Sequence, residues 1–264
     1  MPKNLWVRLL AVGLLVAGVT VPAVAWTPNS QVSIAESAAR LAPPDLLRLL
    51  AKHREDYREG VMAAFRDKDA RSHFKDLGGR GSLDKAWQRE VENAIAAIEA
   101  HRPFSEVVYR LGMMAHYLTD ANNPLNVSSA DSLEPKYFAD FSRYLESAEP
   151  RFQAVFYGLR PELEGGKTLN PLLEETFERS QSLYRLVGQE YRRFPKIDGR
   201  RNFDDRSTAF GVAALCYSHA VSDIAEALRY IWLKSGGADS RRHLPERGKY
   251  IVLLPRGDAP APSR

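Results

Sequence analysis

A single cysteine, Cys216, occurs in 264 residues, so no intrachain disulfide can form. It sits in the apolar run GVAALCYSHAV, where a buried, inert thiol is expected. Alternating apolar and polar residues never run long enough to build a sheet. Only Lys249 to Leu254, KYIVLL, has strand-like β-branched character. No internal repeat is evident, and beyond residue 25 no apolar run approaches membrane-spanning length. Excess charge is scarce too, with 37 Lys and Arg against 33 Asp and Glu. No single basic block of the nucleic-acid type stands out, and the high pI is only a weak pointer to anionic partners.

The N-terminus does carry a signal. Lys3 and Arg8 form a short positive region, Leu9 to Val21 an apolar one, and Ala23-Val24-Ala25 places small residues at the cleavage-critical positions. An export signal over residues 1–25 is expected, with Trp26 first after cleavage. Roughly 17 apolar residues interrupted by Gly13, Gly18 and Pro22 are short for a ~30 Å hydrocarbon core, which argues against an anchor. No cysteine lies at the junction to take a lipid. The remaining length suits one domain over 26–235, followed by a Pro- and Arg-rich tail, 236–264, expected to be loosely ordered.

Helical periodicity dominates that domain. Leu83, Trp87, Val91, Ile95 and Ile98 recur at three and four residues between Gly81 and His101. A second stripe, Val107, Val108, Leu111, Met114, Ala115 and Leu118, runs to a stop at Asn122-Asn123-Pro124. A short helix is expected over Tyr137 to Glu146, one capped by Asn170 and running to about Phe194, and a last one from about Asp205 to Lys234, ending at Gly236-Gly237. The class is all-α, a multi-helix bundle.

Chemistry concentrates in Arg110 to Asn126, RLGMMAHYLTDANNPLN. His116 and Asp120 stand four apart, so imidazole and carboxylate share one helix face and can share a metal ion. A buried charge-assisted hydrogen bond is the plainer alternative for the same pair. His219 and Asp223 repeat the spacing on the last helix, where packing or solvation accounts for them. Met113-Met114 is core filling, and His53, His101 and His243 read as surface.

Leu111 to Leu125 resembles the HYLGDxxQPxH signature of the zinc-dependent phospholipase C and S1/P1 nuclease superfamily, and is closer to its phospholipase branch. Three further features agree in order and approximate spacing. Trp26 would be the N-terminal Trp whose amine and carbonyl chelate zinc in that family. Arg71-Ser72-His73-Phe74 is similar to its SHF loop, after REGVMAAF, which resembles the helix preceding that loop. The long amphipathic helix Phe210 to Lys234 matches the family's last one. The resemblance implies metal ligation by His73, His116, Asp120 and Trp26, with Asp120 also at the catalytic centre.

The other ligand positions depart from the family. Its early His falls at Gln31 and the Asp before the SHF loop at Phe65, with Asp67 and Asp69 nearby as possible extra ligands. A further His position holds Asn126, a possible but poor ligand. A later His and acid fall on Phe138 and Ser142, with Asp140 and Glu146 the nearest carboxylates. Three metals are therefore not expected. What the resemblance implies is an exported zinc-dependent phosphodiester hydrolase with an incomplete centre, acting on phospholipid or another phosphodiester, with transient contact with a membrane surface. Nucleic acid is the less favoured substrate, that of an S1/P1-type nuclease. A catalytically degenerate binding or structural module is the main alternative, and an unrelated helical protein the fallback.

Overall fold

The computed structural model describes residues 26–128, 134–163, 168–238 and 244–253. The expected export signal 1–25, His243 and residues 254–264 of the tail lie outside the described residues. The described chain is almost wholly helical: α1 (Pro28–Ala39), α2 (Pro44–Lys52), α3 (Arg54–Ala63), α4 (Leu83–Glu99), α5 (Phe104–Ala121), α6 (Glu134–Ala148), α7 (Asn170–Arg192), the single turn α8 (Gly199–Asn202) and α9 (Thr208–Lys234). The all-α bundle expected from periodicity is the fold observed.

Local chemistry sets the helix ends. The Ser207 hydroxyl accepts from Phe210 N at 3.1 Å and opens α9, three residues later than periodicity alone places it. At α7 the expected cap is displaced by one. Leu169 occupies the cap, Asn170 is the first helical residue, and the Asn170 amide is taken by the Thr168 hydroxyl at 3.1 Å. α5 and α9 are buried on nearly every face, the mark of helices that run through a core rather than along its surface. His116, Asp120 and Asp223 therefore lie in the interior.

α3 and α5 cross at two glycines. A methyl group on Gly60 would stand 2.0 Å from Tyr109 O, and one on Gly112 would stand 2.2 Å from Tyr57 O. Neither contact is possible, so only hydrogen at both positions allows the backbones to approach this closely. That approach brings the Val61 carbonyl to 3.0 Å from His116 Nδ1. Gly60→Ala is therefore expected to destabilise the fold by about 3 kcal/mol or more, at the top of the overpacking range because backbone must move. Chemical denaturation checks this; a variant within about 0.5 kcal/mol of the parent would show that the helices can separate freely.

A small sheet was not expected from the sequence. β1 (Ala154–Phe156) pairs antiparallel with β2 (Ile251–Leu253), Val155 opposite Val252. β2 is the strand-like part of KYIVLL; β1 is three residues long, too short to show alternation. The other edge of β1 is closed by α9. The Ser218 and Ser222 hydroxyls, one turn apart, accept from Val155 N and Tyr157 N at 3.2 and 3.1 Å and donate to Gln153 O and Val155 O. Residues 244–253 of the tail are thereby drawn back onto the helical body.

A buried charged cluster ties α5, α7 and α9 together. Asp223, inaccessible to solvent, accepts from Asn122 Nδ2 (3.0 Å), Thr176 Oγ1 (2.9 Å), Arg160 Nη2 (3.0 Å) and Arg179 Nη2 (2.5 Å). Arg160 also pairs with Glu226 and Glu175. Burial works to raise the Asp223 pKa, but the two guanidiniums hold it down at about 2. For Glu226 burial prevails over Arg160, and its carboxyl is pushed up to about 7. His219 faces the cluster half-buried, its ring stacked on Tyr157 at 4.4 Å. Burial and then Arg179 depress its pKa to about 4.

Candidate metal centre

The centre is assembled from three stretches of chain. α5 supplies His116 and Asp120 from one face, as their spacing requires. The 3-10 turn Ala70–His73 supplies His73. Lys75 N donates to Asn126 O at 2.9 Å and Ser82 N to Arg71 O at 2.7 Å, so the turn is fastened on both sides to the ends of neighbouring helices. α1 supplies Gln31.

His73, His116 and Asp120 converge: one donor atom from each lies within 4.8 Å of the others. His73 Nδ1 is 2.7 Å from Asp120 Oδ2, and His116 Nε2 is 3.3 Å from both. His116 Nδ1 faces the Val61 carbonyl at 3.0 Å. A carbonyl only accepts, so Nδ1 carries the proton, and in the neutral ring Nε2 presents its lone pair to the other two groups. Burial pushes the Asp120 pKa up, but when the imidazoles beside it carry protons, the charges and hydrogen bonds of His116 and then His73 outweigh burial and bring it to about 2. Burial works to lower His73, but its bond to Asp120 and the charges of Asp120 and Asp67 raise it overall.

Asp67 does not join the group. Its Oδ2 accepts from Tyr117 OH at 2.9 Å and Ser72 Oγ at 2.8 Å, and its Oδ1 from Asp69 N at 3.0 Å. Burial opposes its ionisation, yet these bonds and the nearby His73 depress its pKa. It stands behind His73 as a supporting charge, and Asp69 caps the turn by accepting from Arg71 N at 3.1 Å.

The positions that depart from the family are put to other use. Gln31, fully buried, donates Nε2–H to Asp120 Oδ1 at 2.8 Å. Because a carboxylate only accepts, the amide orientation is settled, and Gln31 Oε1 has no hydrogen-bond partner among the described residues. The Phe65 ring meets His116 edge-on with centroids 4.5 Å apart, an apolar wall where the family has a carboxylate. Phe138 packs against the core, and Ser142 Oγ donates to the Phe138 carbonyl at 3.1 Å within α6. Asp140 accepts from Tyr191 OH and Gly199 N, and Glu146 is exposed. Asn126 is buried, and its carbonyl and amide serve Lys75 N and Asn123 O. The Trp26 ring is buried with its edge against Tyr217, 6.3 Å between centroids. Gln31 as a partner of Asp120 was missed by sequence reasoning, which saw only a missing His; its place one turn into the first helix after Trp26 was the available signal.

Among the described residues the donor set could hold one metal ion. Two imidazoles and one carboxylate suit zinc and leave a position open. On the far side of Asp120 an amide N–H points at the oxygen that a second cation would need, and around Phe138 and Ser142 no group of His, Cys, Asp or Glu converges among the described residues.

No protein-family model matches the sequence, and comparison with curated proteins finds no match. Solved structures do match in fold. An alpha-toxin of Clostridium perfringens from an avian strain superposes with a TM-score of 0.61 at 13% identity, covering 84% of this chain and 66% of the toxin. The alpha toxin of Clostridium absonum gives 0.60 at 13% identity, covering 84% of this chain and 67% of the toxin. The chain thus spans about two thirds of the length of these toxins. At that identity the likeness is one of backbone architecture, and it gives the chain the helical fold of the clostridial alpha-toxins.

Proposed function

We propose that the chain is an exported zinc-dependent phosphodiester hydrolase of the phospholipase C kind, working with one metal ion held by His73, His116 and Asp120. One observation carries this reading. His116 Nε2 and Asp120 Oδ2, both electron-rich, face each other 3.3 Å apart in the interior, while the other nitrogen of His116 is committed to Val61 O. Two lone pairs are stable at that distance only with positive charge between them, either a metal ion or a proton on an imidazole.

A zinc ion held there supplies Lewis acidity toward a phosphoryl oxygen. The chain's own residues orient the donors. Val61 fixes the His116 tautomer, Gln31 steers the Asp120 carboxylate, and Asp67 with Tyr117 backs the His73 ring. His73 is the one donor with side-chain exposure, 17% against 0% and 1% for the other two, so substrate approaches from its side. On this reading residues 1–25 are the export signal, Trp26 begins the mature chain, and a phospholipid or similar phosphodiester is the substrate.

The degenerate binding module remains the second reading, supported by the Gln31–Asp120 bond and by the hydrogen bonds that the three groups already make to each other. Metal analysis of the mature protein, followed by turnover of a chromogenic phosphodiester with and without zinc, separates the two. About one zinc per chain and slow, chelator-sensitive turnover are expected, because a single ion lacks the paired clamp on attacking and leaving oxygens. Absence of both would leave a protonated His–Asp–His network and favour the module. Faster cleavage of single-stranded nucleic acid than of phosphatidylcholine would move the reading to the nuclease branch.

A further inference from the structure

Between α7 and α8 the chain makes a loop whose two ends are bonded to one carboxylate. Asp140 Oδ2, on α6, accepts from Tyr191 OH at 2.7 Å and from Gly199 N at 2.8 Å. Tyr191 is further held by stacking on Tyr137, and Phe203 anchors the far side, buried against Tyr144 and Tyr191. Between these fixed points every residue from Arg192 to Ile197, RRFPKI, is exposed. Phe194 and Ile197 retain 36% and 41% of their surface in solvent. Phe194 meets the buried Phe203 edge-on, 6.0 Å between ring centroids, which fixes the inner side of its ring, but packing does not account for the apolar surface that it and Ile197 leave in solvent.

The charge is equally concentrated. Residues 192–201 carry Arg192, Arg193, Lys196, Arg200 and Arg201 against the single acid Asp198, a net +4, as much as the formal +4 of the whole chain. All five cations are exposed, two of them in surface ion pairs, Arg193 with Glu190 at 2.9 Å and Arg201 with Asp198 at 3.3 Å. The acids that follow are engaged locally: Asp204 accepts from Arg206 N at 2.9 Å, and Asp205 pairs with Arg151.

We infer that this loop is a docking surface for an anionic phospholipid bilayer, with Phe194 and Ile197 entering the interface and the surrounding cations meeting lipid phosphates. Exposed apolar side chains interspersed with Lys and Arg in one loop are what a charged, layered interface selects, since the apolar groups gain by leaving water while the charges stay at headgroup level. A single-stranded nucleic acid would use the cations and stack on a flat ring, but Ile197 offers no such platform. The inference deepens the phospholipid reading of the proposed function by naming where the membrane is met, and it concerns binding alone.

Sedimentation with phosphatidylcholine vesicles, with and without phosphatidylglycerol, tests it on the full chain in the presence of a chelator, so that loss of catalysis and loss of docking are read separately. The parent is expected to bind the anionic vesicles, to bind pure phosphatidylcholine much more weakly, and to be released by raised salt. Arg193→Gln with Lys196→Gln and Arg200→Gln should lower partitioning at least tenfold, and Phe194→Ser with Ile197→Ser should lower it by a similar factor. Melting curves confirm that the variants fold; should one not fold, the salt and lipid dependence of the parent still decides. Equal binding to both vesicle types, no binding to either, folded variants that bind like the parent, or tighter binding to single-stranded DNA would each overturn the inference.

Discussion

Replacing His116 with alanine is expected to weaken zinc binding by more than about 100-fold, since even groups that only hydrogen-bond to metal ligands are worth about 10–100-fold and His116 is proposed as a ligand itself. His116 is fully buried, and its loss strips the Val61 carbonyl of its donor and leaves a void beside Asp120. The metal-free variant should therefore also lose stability, and reduced zinc affinity alone could be a folding effect. His73→Ala removes that ambiguity. His73 lies on a turn at the surface of the site, partly exposed, so its removal should leave the helical core intact while zinc affinity falls to a similar degree. Competition against a chromophoric chelator gives both affinities. If a folded His73→Ala protein keeps the parent's affinity, the three-donor site is wrong.

The second large effect concerns stability. Arg160→Met should cost about 3–5 kcal/mol at neutral pH, the range for removing one partner of a buried ion pair, since methionine keeps most of the volume but leaves Glu226 and half of Asp223 uncompensated. Arg160 is 7% exposed and meets Asp223, Glu226 and Glu175 at once. The cost should depend on pH in a defined direction. Glu226 has a folded-state pKa near 7 against an unfolded value near 4.5, so its contribution is fully present below 4.5 and is lost as pH rises through 7. Without Arg160 that folded value moves higher still, and the extra loss falls above pH 7. Denaturation midpoints should differ between variant and parent more at pH 8 than at pH 5.5; an equal gap at both would show that Glu226 does not respond to Arg160.

Those two residues also mark the limits of what could be read from the sequence. His116 and Asp120 were legible because both lie on one helix, where spacing alone decides that they share a face. Their convergence with His73, 43 and 47 residues away, was reachable only through the family resemblance. Arg160 could not be read, because in GLRPELEGG it looks like a loop cation and its partners Asp223 and Glu226 lie 63 and 66 residues further on. Gly60 and Gly112 look like ordinary helix glycines until the two helices are laid across each other. Gln31 was legible as a departure but not as a replacement, since a hydrogen bond to Asp120 across 89 residues leaves no periodic trace. β1 was hidden by its length, and by the helix side chains that serve one of its edges in place of a strand.

The glycine crossing of α3 and α5 has a kinetic consequence. With no space for a side chain between the two backbones, the helix that carries His116 and Asp120 packs directly on the one that carries Val61. On the proposed reading those two buried donors would stand ready before any cation arrived and would lose little conformational freedom on binding it. His73 sits on a short turn that is itself tied down, by the bonds from Lys75 N to Asn126 O and from Ser82 N to Arg71 O. A cation taken up by these groups would thus meet three donors already in place, and its residence time would be set by how often the two bonds that tie the turn open rather than by rearrangement of the core.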